Sequence, residues 1–189
     1  MLYFGRGNKK LAKSVLTFSL PSGFCCPGAL DCLSKADRYT GKIKDGAHTK
    51  FRCFSASQEA IYQSTRESRW ANYESLRGLT AAQMTKLITE SINVSKKKSS
   101  THVRIHVSGD FFNESYFLGW IGAAKALDKL GFYAYTKVLP LWIKHKNNLP
   151  HNFVLTASYG GKYDDLIAKY NLRYAMVVYD EDSRIKAKK

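Results

Sequence analysis

Four cysteines, Cys25, Cys26, Cys32 and Cys53, stand near the start of the chain, and residues 54–189 contain none. Thiols gathered at one end of a chain that otherwise reads as an intracellular α/β protein point to metal ligation or redox chemistry before cross-linking. Five residues separate Cys26 from Cys32, and twenty separate Cys32 from Cys53. Zinc knuckles bring tighter C-x₂₋₄-C pairs, whereas iron–sulfur clusters accept three or four thiolates at looser spacing. The spacing therefore favours an iron–sulfur cluster on Cys26, Cys32 and Cys53, with Cys25 or His48 as a fourth ligand, or with one iron open to a ligand. Adjacent residues rarely both reach one cluster, which sets Cys25 apart. Zinc and plain structural cysteines, which pack as small hydrophobes, are the alternatives.

The elements that must position these thiols follow from hydrophobic patterning. Residues 15–20 (VLTFSL) read as a strand ended by Pro21 and Gly23, and they lead straight into the cysteine-rich loop at 24–54. Ser55 with Gln58 forms a capping-box pattern opening a charged helix to Leu76, and Thr80 with Gln83 repeats it before the stripe Met84, Leu87, Ile88, Ile92. Residues 102–110 (HVRIHVSGD) predict a strand, Asn113 caps a helix running to Leu130, and residues 132–137 (FYAYTK) predict another strand. A short helix at 141–146, a strand at 153–158, a helix at 164–170 and a strand at 174–179 complete the order. Strands alternating with helices indicate βαβ units and a parallel sheet. About five strands are too few for a closed eightfold barrel, so the expectation is an open partial (β/α) barrel or curved parallel sheet with flanking helices. A flat doubly wound sheet is the alternative.

In such folds functional groups collect at the carboxyl ends of the strands. Those ends carry the cysteine loop, then His106, Ser108 and Asp110, then Tyr135, Thr136 and Lys137, then Thr156 and Ser158, then Asp180. His106, Asp110 and Lys137 are the catalytic candidates, and Ser108 and Asp110 are cofactor-binding candidates. Against these stand simpler readings: Asp110 as a helix cap, His106 as a hydrogen-bonded core group, Lys137 as a solvated cation.

The 189 residues are 44% hydrophobic and fit one domain, 1–189, with a basic tail at 184–189. No apolar run approaches the roughly 20 residues of a bilayer-spanning helix, and the start does not read as a secretory signal, so a cytoplasmic protein is expected. A formal charge of +15 and a pI near 9.7 suggest contact with nucleic acid. The basic residues are nonetheless dispersed, with short concentrations at 9–13, 96–98, 144–146 and 186–189.

Taken together, several segments resemble the phage gene product 88 family: Cys26-Pro27-Gly28-Ala29 with Cys32, Cys53-Phe54, RIHVSGDFF at 104–112, FYAYTK at 132–137 and NFVLTASYGG at 152–161. The resemblance covers most of the chain and implies a bacteriophage protein acting in the infected bacterial cell. Cys26, Cys32 and Cys53 match its pattern, and Cys25 lies just outside. The architecture also resembles, more distantly, the radical S-adenosylmethionine enzymes. That likeness implies a [4Fe-4S] cluster at the mouth of a partial barrel, S-adenosylmethionine beside it and reductive radical chemistry. The chain departs from their C-x₃-C-x₂-C motif. The rival expectation is a basic nucleic-acid-binding protein, with or without zinc.

Overall fold

A computed structural model describes residues 1–8 and 10–178. The expected strand end at Tyr179 and Asp180, and the basic tail at 184–189, lie outside the described residues. Among the described residues the main sheet has six strands, in the order β1-β2-β5-β6-β7-β8. They are β1 (Gly5–Asn8), β2 (Leu11–Ser19), β5 (His102–Ser108), β6 (Gly131–Thr136), β7 (Phe153–Ser158) and β8 (Tyr174–Ala175). β1 runs antiparallel to β2 at one edge, and every other pairing is parallel. The strand order never reverses, so the sheet lacks the switch point of a doubly wound fold.

Between β2 and β5 the chain makes a small hairpin, β3 (Ser34–Ala36) with β4 (Ile43–Asp45), inside the cysteine-rich loop. Three helices follow: α1 (Phe54–Ile61), α2 (Gln63–Leu76) and α3 (Ala81–Ser95). The later crossovers carry α4 (Glu114–Ala126), α5 (Leu139–His145) with a 3₁₀ turn at Lys146–Asn148, and α6 (Asp165–Lys169).

The expected capping box at Ser55 is absent, because Cys53 occupies the cap position and Ser55 is instead buried. The expected single helix to Leu76 is broken at Tyr62, whose extended backbone ends α1 and starts α2. Thr80 and Gln83 do form a reciprocal capping box on α3, and Asn113 accepts from the Tyr116 N–H to cap α4.

Alternation in the strands sends Leu16 and Phe18 of β2, Val103 and Ile105 of β5, and Phe132 and Ala134 of β6 into one core. Trp120 of α4 meets Phe18 at 5.3 Å and Phe132 at 6.4 Å between ring centroids. Each such side chain, fully buried, contributes about 1.5–3 kcal/mol. α3 lies against α4 at close range, since a Cβ on Gly119 would come within 2.7 Å of the Met84 Cβ. Among the described residues no helix is long and apolar enough to cross a membrane.

Candidate functional site

Because β2, β5, β6 and β7 are parallel, their carboxyl ends open onto one edge of the sheet. A cavity of about 250 Å³ lies there, and its walls include Cys26, Cys32 and Cys53 together with His106, Ser108, Asp110, Tyr135, Lys137 and Ser158. Of the sequence-predicted residues, these nine are brought together. Cys25 is not among the lining: its side chain is fully buried in the apolar core, and its carbonyl accepts from the Asp110 N–H at 2.8 Å. His48 is exposed, and neither it nor Thr156 lines the cavity. Thr136 sits one layer behind, buried and bonded to Asp110.

The cysteine loop is strapped to the sheet by its backbone. Lys162 N–H donates to Gly28 O at 2.9 Å, Leu30 and Asp31 N–H donate to Gly160 O, and Ala29 bridges Gly161. Gly28 also presses on the Lys137 backbone so closely that a Cβ would collide with the carbonyl oxygen. A side chain there would lift the loop off the end of β6.

The thiols have polar neighbours. Gly23 N–H donates to Cys26 Sγ at 3.3 Å, and Ser22 Oγ donates to Cys53 Sγ at 3.5 Å. Burial pushes the Cys26 thiol well above its ordinary value, the Asp110 charge adds to this, and the Gly23 amide opposes it. Burial likewise raises Cys32, against the pull of the Lys137 ammonium. Cys25 is raised by burial first and by Glu59 second. Among the described residues no three His, Cys, Asp or Glu side chains converge tightly enough to hold a single metal ion.

β5 supplies the most unusual backbone. Its register against β2 passes from Thr17↔Arg104 to Ser19↔Ser108, so β5 carries two extra residues in a bulge. Within that bulge His106 has φ +65°, a left-handed conformation that few non-glycine residues adopt. Residues held this way cluster at functional sites. His106 Nε2 lies 3.0 Å from the Tyr116 hydroxyl, while Nδ1 is buried without a partner, and burial lowers the imidazole to about 3. The ring is therefore neutral, so the expectation of a satisfied core histidine is half met.

Gly109, at φ +84°, turns the chain so that Asp110 points back under the sheet end. Asp110 accepts from Thr136 Oγ1 at 2.7 Å, Lys137 N–H at 2.8 Å and Phe111 N–H at 2.8 Å. Burial raises its carboxyl to about 6 despite these three donors. It does not cap α4, a place taken by Asn113. Instead it ties the end of β5 to the end of β6. Lys137 is no loose cation either: its Nζ donates to Ser158 O at 3.0 Å, Ser158 Oγ at 2.9 Å and Tyr159 O.

Sequence reasoning missed the floor of the site. Glu59 is fully buried and accepts from Arg69 Nη1 at 2.7 Å, Ser22 N–H at 2.8 Å and Ser108 Oγ at 3.4 Å. It also missed Arg104, which lines the cavity with its guanidinium 5.5 Å above the Tyr135 ring. The available signal was its position two residues before His106, on the polar face of an otherwise apolar strand.

The profile of the gene product 88 family matches residues 2–189. The chain belongs to the gene product 88 family. Among its relatives, the gene 88 protein of Mycobacterium phage D29 is 26% identical over 141 residues, and that of Mycobacterium phage L5 is 25% identical over 141 residues. Each alignment covers 71% of this chain and 51% of the relative, so the chain matches about half the length of these curated proteins. No solved structure matches. For this family member the bacteriophage origin expected from the motifs stands, while the comparisons bring no radical S-adenosylmethionine enzyme beside it.

Proposed function

We propose that this gene product 88 family member holds a [4Fe-4S] cluster through Cys26, Cys32 and Cys53 at the strand-end cavity of a partial barrel, in the cytoplasm of the infected host. The observation that carries the reading is that these three thiols, distant in sequence, line one cavity while Cys25 packs into the core. Thiols spread around cavity walls suit a polynuclear cluster, in which each thiolate takes a different iron, better than one zinc ion with all ligands at about 2.3 Å. The Gly23 amide and Ser22 hydroxyl supply hydrogen bonds to sulfur of the kind that tune cluster potential. Monotonic strand order, with β1 and β8 as the edges of the sheet among the described residues, supports the partial barrel.

Such a cluster, when bound, supplies one-electron transfer. The protein's part is to keep the cavity shaped: Asp110 clamps two strand ends, Lys137 secures the turn after β7, and Glu59 with Arg69 fixes the loop from below. Ligation needs thiolates, whereas burial holds Cys26 and Cys32 protonated, so loading releases protons and weakens at acid pH. S-adenosylmethionine is a candidate co-ligand. Reduced, cluster-loaded protein that neither binds nor cleaves it would remove the radical branch and leave the cluster.

The deciding experiment is iron, sulfide and zinc analysis with an absorption spectrum on protein purified without oxygen. Iron and sulfide in matching amounts with a broad band near ~400 nm are expected, and Cys26→Ala should lose them. Full cluster content in Cys26→Ala, or zinc in place of iron, overturns the reading. The formal charge of +15 favours nucleic acid as a second reading. It predicts binding that weakens steeply with salt, and a gel-shift blank at low ionic strength disposes of it.

A further inference from the structure

Most polar side chains around the strand-end cavity are committed to the protein. Ser22 divides its one hydroxyl hydrogen between Ser34 O and Cys53 Sγ, and Ser55 and Ser108 donate to Val107 O and Glu59. Lys137 directs its ammonium to Ser158 and Tyr159, and Asp110 is met by three donors. Two groups stand apart. The half-buried Arg104 guanidinium makes no hydrogen bond or ion pair among the described residues, and its Nε is shut off from water with no partner. His106 is 4% exposed, and its Nδ1 is likewise unpartnered.

Such groups are rare in folded proteins, because a buried donor left unbonded costs about 1–3 kcal/mol. The Arg104 guanidinium carbon lies 5.5 Å over the Tyr135 ring, a contact that uses none of the N–H donors along the guanidinium edge. That edge is a planar fork matched to the two oxygens of a carboxylate or phosphate. Within the lining, Asp110 is the sole carboxylate, and its oxygens face Thr136, Lys137 and Phe111 instead. At about 250 Å³ the cavity falls below the ~300–1,000 Å³ typical of drug-sized ligands. A cavity of this volume suits a group of small-metabolite size.

We propose that the β5–β6 side of this cavity is a binding subsite for a small oxyanion, a carboxylate or phosphate group gripped bidentately by Arg104 over Tyr135, with His106 alongside. A neutral His106 accepting from the Tyr116 hydroxyl at Nε2 carries its hydrogen on Nδ1, the form that donates to an anion. The subsite adjoins the proposed cluster thiols and does not depend on the cluster.

The test is titration calorimetry of the full chain, purified without oxygen, with malonate and with inorganic phosphate at fixed ionic strength. Wild type is compared with Arg104→Gln, Arg104→Lys and the surface control Lys96→Gln. At least one probe should bind wild type and Lys96→Gln alike, with at least a tenfold loss in Arg104→Gln and a smaller loss in Arg104→Lys. Preference for malonate or for phosphate assigns the anion. Binding of neither probe, equal binding by Arg104→Gln, or equal weakening in Lys96→Gln overturns the subsite. Should Arg104→Gln fail to fold by circular dichroism, Arg104→Lys decides, unchanged affinity there overturning the proposal. Iron content is read on the same samples: Arg104-dependent binding in protein without iron sinks the cluster alone, and a full cluster without anion binding sinks the subsite alone.

Discussion

The layer between the sheet and helices α3 and α4 and the edge where the strands end are built from the same β-strands but obey opposite rules. In the layer, Phe18, Val103, Ile105 and Phe132 meet Trp120, Met84, Ile88 and Phe117 with almost every side chain buried and apolar. At the strand ends, β5 and the loops that follow β2 and β5 bring together His106, Ser108, Asp110 and three thiols, with an ion pair of Glu59 and Arg69 beneath them. The first arrangement lowers the free energy of the fold by removing hydrocarbon from water. The second raises it, because groups that prefer water are held away from it and are compensated by hydrogen bonds only in part. On the proposed reading, the fold tolerates the second arrangement because something besides stability depends on it.

The largest effects should come from breaking one member of each arrangement. Trp120→Ala removes a ring that touches β2 and β6 and is expected to lower the unfolding free energy by about 3–5 kcal/mol. Arg69→Met should cost a comparable 3–5 kcal/mol for a different reason, since it strands the Glu59 carboxylate with no counter-charge. Urea unfolding measures both. The two part company in iron content per folded molecule, which Trp120→Ala should retain and Arg69→Met should lower, because Glu59 also holds the Ser22 amide next to Cys53. Equal retention in both would mean that the ion pair is merely another piece of core.

The same contrast explains what the sequence disclosed. The strands of the apolar layer were legible because alternation and helical periodicity are properties of local residues, and the α3 capping box was read correctly for the same reason. β1, with sequence GRGN, and the three-residue strands β3 and β4 carry no such pattern, and pairing alone creates them. At the strand ends, Cys26, Cys32, Cys53, Ser108 and Asp110 were legible because parallel strands must end on one edge. The Glu59–Arg69 pair was not. In an unbroken helix residues ten apart stand about 15 Å from each other along the axis, and they meet here only because the chain breaks at Tyr62. Arg104 was passed over because a charged residue on a strand usually faces solvent. What singles it out is the absence of an acceptor, which no sequence displays.

A middle-sized effect should appear as pH dependence. The Asp110 carboxyl is raised to about 6 from an ordinary value near 3.8, so its contribution is fully present below about pH 4 and is lost as pH rises through 6. His106 is lowered to about 3 from 6.5, so its contribution is present above 6.5 and is lost as pH falls toward 3. Between pH 4 and 6 the two slopes oppose each other, each amounting to about 3 kcal/mol across those two units by the conversion of about 1.4 kcal/mol per unit. Cluster-free wild type should therefore show a shallow profile there. Asp110→Asn should show stability falling steeply on acidification, and His106→Gln should show it falling as pH rises. Parallel profiles for wild type and Asp110→Asn would mean that Asp110 is solvated, which would remove it from the strained edge altogether.

The smallest effect applies one chemical change to both regions. Gly119→Ala places a methyl against the Met84 Cβ between α3 and α4, and Gly28→Ala places one against the Lys137 carbonyl under the cysteine loop. Overpacking of this kind costs about 1–3 kcal/mol. In α4 the better helix propensity of alanine returns up to about 1 kcal/mol, so the net loss at Gly119 should be the lesser one. Thermal unfolding gives these values but does not separate the regions, since both variants lose some stability. Iron uptake does. Two tightly packed helices can part by a few tenths of an ångström without moving a thiol, whereas the Gly28 contact and the Lys162–Gly28 hydrogen bond set where Cys26 and Cys32 stand relative to β6 and β7. Gly28→Ala should therefore take up less iron than Gly119→Ala at equal folded fraction. If the two load equally, the position of the loop against β6 does not govern the thiols, and the cavity is shaped from the Glu59 side.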